Sequence, residues 1–309
     1  MSVGTFFKLI RWKNLIMICL IQILFKYVYF SIFSVDTTLD TLHFILLMLS
    51  TILIAAGGNV LNDVYDLEAD KINKPSKVLV SKKVSISLAT NLYYITTFAG
   101  ILIGFYIAYH IHQLGYISIF IITALLLKVY NSGLKRLPII GNIIVSLLVS
   151  LSILIVGIFD IIPTVTEENA VDQYYAFKVL TDYAIFAFIF MLLREMVKDI
   201  EDVNGDLKLN MKTLPILVGR KRSNYIVFMV SFVPLILVTH YSFANFMEVP
   251  VILAYMLIVV LLPFLHFMTK ILYAKSKKDY TYTSKLLKII MLLGILSILI
   301  ISLNIYYAS

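Results

Sequence analysis

Cysteine is almost missing from this chain. Cys19 is the only one in 309 residues, so no intrachain disulfide framework can form. The five histidines are scattered, and no Cys/His cluster has the spacing of a zinc or iron–sulfur centre. Charge is scarce as well, at 14% of residues against about 25% in soluble domains. No ten-residue alternation of apolar and polar residues runs through the chain, which argues against a transmembrane barrel. No small-residue cleavage site follows the first apolar run, Trp12 to Phe33, and that run is too long for a signal-peptide core. It is expected to be a first membrane span.

What fills the chain instead is hydrocarbon. The composition is 61% hydrophobic and the mean hydropathy is +0.94, too apolar for one water-soluble core. A bilayer must be the solvent, and at about 20 residues per span eight to ten helices would fit. The apolar runs predict nine, at 12–33, 39–61, 85–109, 114–131, 139–161, 177–198, 223–241, 249–272 and 285–307. Polar stretches at 62–84, 160–176 and 199–222 separate some of them. The expected fold is therefore all-α, a polytopic helical bundle.

A net charge of +8 would suggest nucleic acid in a soluble protein. Here 24 of the 26 basic residues fall before helix 1 or around the 2–3, 4–5, 6–7 and 8–9 connections. The opposite connections carry acids: Asp36, Asp40, Asp160, Glu167, Glu168, Asp172 and Glu248. The positive-inside rule then places the N-terminus and the even-to-odd loops in the cytoplasm and the C-terminus outside.

Two acidic segments carry the chemistry. Asn59-x-x-Asn62-Asp63-x-x-Asp66-x-x-x-Asp70 closes helix 2, and Arg194-Glu195-x-x-Lys198-Asp199-x-x-Asp202-x-x-x-Asp206 closes helix 6. Steps of three and four place each aspartate trio on one helical face, where like charges destabilise a helix unless neutralised. Divalent cations neutralise them, and an all-oxygen donor set suits Mg2+. Asn59, Asp63, Asp66 and Asp70 precede Glu195, Asp199, Asp202 and Asp206 by a constant 136 residues. That offset spans four helices and suggests an internal duplication, 12–138 and 139–272, with a ninth helix 285–307 appended to one domain of 1–309. Two such faces on one membrane side could grip a diphosphate across a central cavity. A solvated helix end is the plain alternative for either cluster alone, and the matching pair argues against it. An EF-hand is excluded because Gly205 falls before the position such a loop requires. A cation transporter also uses intramembrane carboxylates, but near the midplane and often in inverted halves.

These motifs resemble those of the UbiA superfamily of intramembrane prenyltransferases. The first matches at Asn59, Asn62, Asp63, Asp66 and Asp70, followed by Lys71-Ile72-Asn73-Lys74-Pro75. The second corresponds to Asp199, Asp202 and Asp206, with Lys212-Thr213-Leu214-Pro215 behind it, and the 4–5 connection looks like Tyr130-Asn131 through Gly141-Asn142. The resemblance covers the whole chain. It implies a bundle like that of the all-α isoprenoid synthases, in which the six aspartates bind Mg2+ and diphosphate. The prenyl tail would lie in a lipid-facing tunnel. Asp63, Asp66, Asp199 and Asp202 would serve catalysis, and Tyr130 would either stabilise an allylic cation or belong to the interfacial aromatic belt. Asn59, Asn62, Lys74, Lys77, Lys128, Arg194, Lys198 and Lys212 would bind substrate. The sequence departs from the family pattern at Lys77, often arginine, and at Ser81, often glycine. Lys128 either touches diphosphate or snorkels to headgroups. Lys26 would reach a polar cavity or pair with Asp36 or Asp40, and Asn14 would sit at the cavity entrance or serve as an anchor.

The segments Leu9–Leu15 and Asp199–Asp206 look most like the branch that joins a geranylgeranyl group to a glycerol-phosphate ether lipid. Lys135, Arg136, Lys208 and Arg220 could meet the phosphate of such an acceptor. The rival acceptor is an aromatic acid or quinone precursor. The expected partners are a prenyl diphosphate, a lipophilic acceptor and the bilayer, with no nucleic acid.

Overall fold

The computed structural model describes residues 1–308. Among them, nine helices are long and apolar enough to cross a membrane. Numbered as spans 1 to 9, they are Trp12–Ile32, Thr41–Tyr65, Ile86–His110, Leu114–Ser132, Ile140–Thr164, Ala170–Lys208, Arg220–Phe246, Pro250–Tyr273 and Lys277–Tyr307. Their starts follow local chemistry. Asp40 accepts the His43 N–H at 2.9 Å to cap span 2, Ser85 caps span 3 through Leu88, and Pro250 opens span 8 where its missing N–H costs nothing.

Span 6 departs most from the expected 177–198. Hydropathy detects only the lipid-facing portion, whereas the helix runs for 39 residues, roughly 58 Å at 1.5 Å per residue, about twice the hydrocarbon thickness. Its C-terminal extension carries Asp199, Asp202 and Asp206 out of the apolar layer on one unbroken helix. The first acidic motif is built differently. Span 2 ends at Tyr65, Asp66 stands at a break (φ −89°, ψ 5°), and a short helix, Leu67–Asn73, carries Asp70. The three-and-four spacing there continues across a kink.

Small residues let the helices close up, as membrane interfaces require. A methyl group added at Gly100 would lie 2.7 Å from Ile54 and 3.0 Å from the Ser50 carbonyl oxygen. Ser50 Oγ in turn donates to the Gly100 carbonyl at 2.6 Å, locking span 2 to span 3. Span 6 packs on spans 5, 7 and 9 and on the 67–73 helix, so it forms the axis of the bundle. Span 8 contains a π-helical turn, Tyr255–Leu261, just before Pro263, whose missing donor disrupts the regular ladder.

At the end of the bundle away from the acidic motifs, Lys26 is buried in a π-helical turn of span 1, Leu24–Tyr29. Its partner is Asp160 at the end of span 5, 2.9 Å away and fully buried. This corrects the expected pairing with Asp36 or Asp40. Asp36 instead accepts from Asn169 at 2.9 Å, and Asp40 is used up by His43. Lys26 Nζ also donates to the Leu39 carbonyl at 2.6 Å, and Asp160 Oδ1 accepts the Leu39 N–H at 2.8 Å. The pair thereby ties the 1–2 connection to span 5.

Candidate active site

A cavity of about 900 Å3 opens at the acidic end and descends among spans 1, 2 and 4 to 9. Its mouth is lined by all six motif aspartates: Asp63, Asp66, Asp70, Asp199, Asp202 and Asp206. Deeper, the lining becomes apolar, with Ile18, Ile54, Phe120, Leu148, Phe190 and Met291. The two rows expected from spacing therefore face one space, with a greasy pocket behind them.

Each row is held by partners from other elements. Arg11, in the left-handed turn before span 1 (φ 55°), places Nη2 2.7 Å from Asp63. Lys135, in the 4–5 connection, contacts Asp66 at 2.5 Å, and Asn62 donates to the other Asp66 oxygen at 2.7 Å. Lys74 reaches across from the first motif to Asp202 of the second at 2.5 Å. Burial pulls the Lys74 ammonium down, but the Asp202 charge and hydrogen bond outweigh this and hold it above the ordinary lysine value. Asn142, in the first turn of span 5, donates to Asp199 at 2.9 Å.

Asn73 stitches the motifs together. Its amide donates to the Asp202 carbonyl at 2.8 Å and its oxygen accepts the Gly205 N–H at 2.9 Å. Lys277, at the start of span 9, donates to the Asn73 carbonyl. Gly205 is required by this approach, because a methyl group there would lie 2.7 Å from the Ala69 carbonyl oxygen and collide with the Asn73 amide.

Asp70 is pushed above the ordinary aspartate value by burial, opposed by Lys74 and reinforced by Asp66 and Asp63. Among the described residues no three carboxylate, histidine or cysteine side chains are gathered closely enough to share one ion. Any bound cation would therefore take one or two carboxylates from this chain and the rest of its oxygens from substrate and water, the usual manner of Mg2+. One observation favours such a guest. Asp202 Oδ1 is buried without a hydrogen-bond partner, an acceptor left free inside the site.

The expected substrate ligands divide. Lys74, Lys77, Arg194, Lys198, Asn59 and Asn62 line the cavity. Asn59, however, donates to the Ile10 carbonyl at 3.1 Å and so anchors the chain before span 1. Lys128 and Lys212 do not line the cavity. Both are exposed, and the Lys212 backbone N–H donates to the Arg136 carbonyl at 2.8 Å, outside the cavity lining. Lys128 is one helical step from the inward face that carries Tyr130 and Asn131, a position that suits the snorkelling role of the two expected for it. Tyr130 lines the cavity, and its charged neighbours are Glu195, Asp66, Asp199 and Arg11, placing the ring between the two rows.

Three residues of the site escaped the sequence as partners of the aspartates. Arg11 reads as an ordinary cytoplasmic charge, Asn73 as part of a turn, and Lys135 as a residue for a second substrate. Ser81 takes φ 71°, the left-handed region, which accounts for glycine being common at that position.

Comparison with known proteins places the chain among related sequences and folds. The UbiA prenyltransferase family profile matches residues 24–303. The digeranylgeranylglyceryl phosphate synthase of Sulfurisphaera tokodaii is 32% identical over 73% of this chain and 74% of its own length. A solved digeranylgeranylglyceryl phosphate synthase superposes with a TM-score of 0.63 at 26% identity, covering 98% of this chain and 99% of the other. A UbiA homologue from Archaeoglobus fulgidus, solved with DMAPP and Mg2+, superposes with a TM-score of 0.54 at 15% identity over 95% of this chain and 99% of its own.

Proposed function

The chain belongs to the UbiA prenyltransferase family, and from that premise we propose that it transfers a geranylgeranyl group from its diphosphate to geranylgeranylglyceryl phosphate. The observation that carries this reading is the cavity itself, in which six aspartates at the mouth share one space with a deep apolar pocket. The acceptor follows from the S. tokodaii relative and from the solved synthase.

The residues present fit Mg2+: Asp63, Asp66 and Asp70 on one wall and Asp199, Asp202 and Asp206 on the other offer only oxygen, and the A. fulgidus homologue was solved bound to DMAPP and Mg2+. When bound, the ion neutralises the leaving diphosphate. The chain's own groups do the rest. Lys77, exposed at the rim, meets phosphate oxygens as a point charge. The apolar walls hold the tail and exclude water from C1 of the prenyl group. As the C1–O bond breaks, diphosphate departs with the electron pair. Tyr130 turns its ring towards the allylic cation. The acceptor hydroxyl oxygen forms the new C–O bond, and its proton is released to solvent at the mouth.

The membrane orientation belongs to the same reading. With 24 of 26 basic residues at the acidic end or on its connections, that end and the N-terminus face the cytoplasm and the C-terminus lies outside the plasma membrane. The constant offset of 136 residues supports one prenyltransferase domain built from a pseudo-repeat, 12–138 and 139–272, with the last helix added. Purified protein with geranylgeranyl diphosphate, Mg2+ and a panel of acceptors tests the proposal. The expected product is the digeranylgeranylglyceryl phosphate, identified by mass. Prenylation of 4-hydroxybenzoate in its place would refute the acceptor.

A further inference from the structure

The cavity mouth is electrically lopsided. On the side of spans 2 and 6 where the aspartates stand, Asp63, Asp66 and Asp202 have ion-pair partners in Arg11, Lys135 and Lys74. Asp70, Asp199 and Asp206 have none among the described residues, so that side keeps a surplus of negative charge for cations. Where span 6 meets spans 1 and 9, the balance reverses. Arg194, Lys198 and Lys288 all line the cavity there, and Glu195 is the one carboxylate among them. Arg194 Nη1 and Lys198 Nζ share that carboxylate at 2.9 and 3.1 Å.

Lys288 meets no carboxylate among the described residues. Its ammonium donates to the neutral Asn14 amide oxygen at 2.6 Å, and the charged groups acting on it are Arg194, Lys13 and Lys198, all of its own sign. Gathering like charges at a membrane cavity is costly unless an anion comes to them. A second observation points the same way: Arg194 Nε is buried and has no hydrogen-bond partner, so a donor stands ready in a dry place. Behind this group the wall of span 9 is open. A methyl group added at Gly294, which lines the cavity two turns deeper, would meet nothing within 4 Å.

We propose that Arg194, Lys198 and Lys288 form the seat for the phosphate monoester of the acceptor, with its prenyl chain running down beside Gly294. This separates the acceptor's anion from the donor diphosphate, which is drawn to the aspartates. It rests on the acceptor reading above. It also relieves the residues first considered for this phosphate. Lys135 is occupied by Asp66, Arg220 reaches Asn204 on the exposed surface, and Arg136 and Lys208 are exposed and do not line the cavity.

Steady-state transfer in a neutral detergent, free of anionic lipid, separates the possibilities. Lys288→Gln should raise the KM for geranylgeranylglyceryl phosphate roughly 10- to 100-fold, the effect of losing one hydrogen bond to a charged group. The KM for geranylgeranyl diphosphate should stay within about twofold, and Lys288→Arg should recover most of the acceptor affinity. The dephosphorylated acceptor, geranylgeranylglycerol, should be used equally by Lys288→Gln and the parent protein. If Lys288→Gln does not fold, Lys288→Met, which keeps the length of the side chain without its charge, is read in the same way. An unchanged acceptor KM would overturn the seat, as would an equal loss for the donor, which would put Lys288 on the diphosphate. An effect seen only in vesicles containing an anionic lipid would assign the seat to a headgroup instead. Failure of the parent protein to use this acceptor at all would remove the acceptor reading itself, a result distinct from any of these.

Discussion

Removing Asp160 isolates a charge that has nowhere to go. Lys26 and Asp160 are about 8% and 0% exposed, and their link secures Leu39 at both its N–H and its carbonyl. Replacing Asp160 by Asn leaves a buried ammonium facing an amide, whereas replacing Lys26 by Met leaves a buried carboxylate. Breaking a buried pair from one side costs about 3–5 kcal/mol. For a chain of this size that lowers the apparent unfolding midpoint by on the order of 10 °C. Lys26→Met with Asp160→Asn removes both charges and keeps an acceptor for the Leu39 N–H, so the double variant should recover at least about half of the loss. The assay is the fraction of monodisperse protein left after heating in detergent, measured by size exclusion. Additive losses in the double variant, or single variants as stable as the parent, would refute the claim that this pair is desolvated and coupled.

Other consequences lie at the acidic end. Gly205→Ala should cost about 1–3 kcal/mol by forcing span 6 away from Asn73 and Ala69, read as a lower midpoint together with reduced transfer; an unchanged midpoint would contradict the close approach. Because Lys74 lies above its ordinary value, its link to Asp202 contributes stability in full below the unfolded lysine value, and this is lost as pH rises through the folded one. Lys74→Met should therefore flatten the alkaline limb of the stability profile above about pH 10. Asp70, pushed up by burial, favours the folded state when protonated, so that stabilisation fades as pH rises from the ordinary aspartate range. Mg2+ should then raise the midpoint more at pH 7 than at pH 4.5, and an equal effect at both would contradict the reading. With Cys19 replaced by Ser, a cysteine at Lys82 should be labelled only from the cytoplasmic face; labelling from outside would reverse the orientation.

Much of this architecture is legible in the residues, and the failures have physical causes. Hydropathy finds nine apolar segments because a span must satisfy its own backbone in hydrocarbon. It misjudges span 6 because a helix continues in water as long as packing supports it, and here the 67–73 helix and span 9 do so. The aspartate rows are readable because their spacing alone carries the message. Their partners are not, since Arg11, Lys135 and Asn73 come from three separate connections whose meeting depends on tertiary packing. Lys26 shows the same limit. A charge in the outer half of span 1 demands a partner, but Asp160 lies 134 residues away and reads as a loop acid. Lys128 shows why spacing left two roles open, since one helical step separates a cavity-lining side chain from an exposed one.

The central claim is that the two aspartate rows grip one diphosphate through Mg2+, and equilibrium binding of a non-ionising thiolo analogue of geranylgeranyl diphosphate tests it most directly. Binding should require Mg2+ and should be lost both in Asp63→Asn, on the first row, and in Asp199→Asn, on the second. Binding of equal strength without the ion, or retained in both variants, would contradict the account.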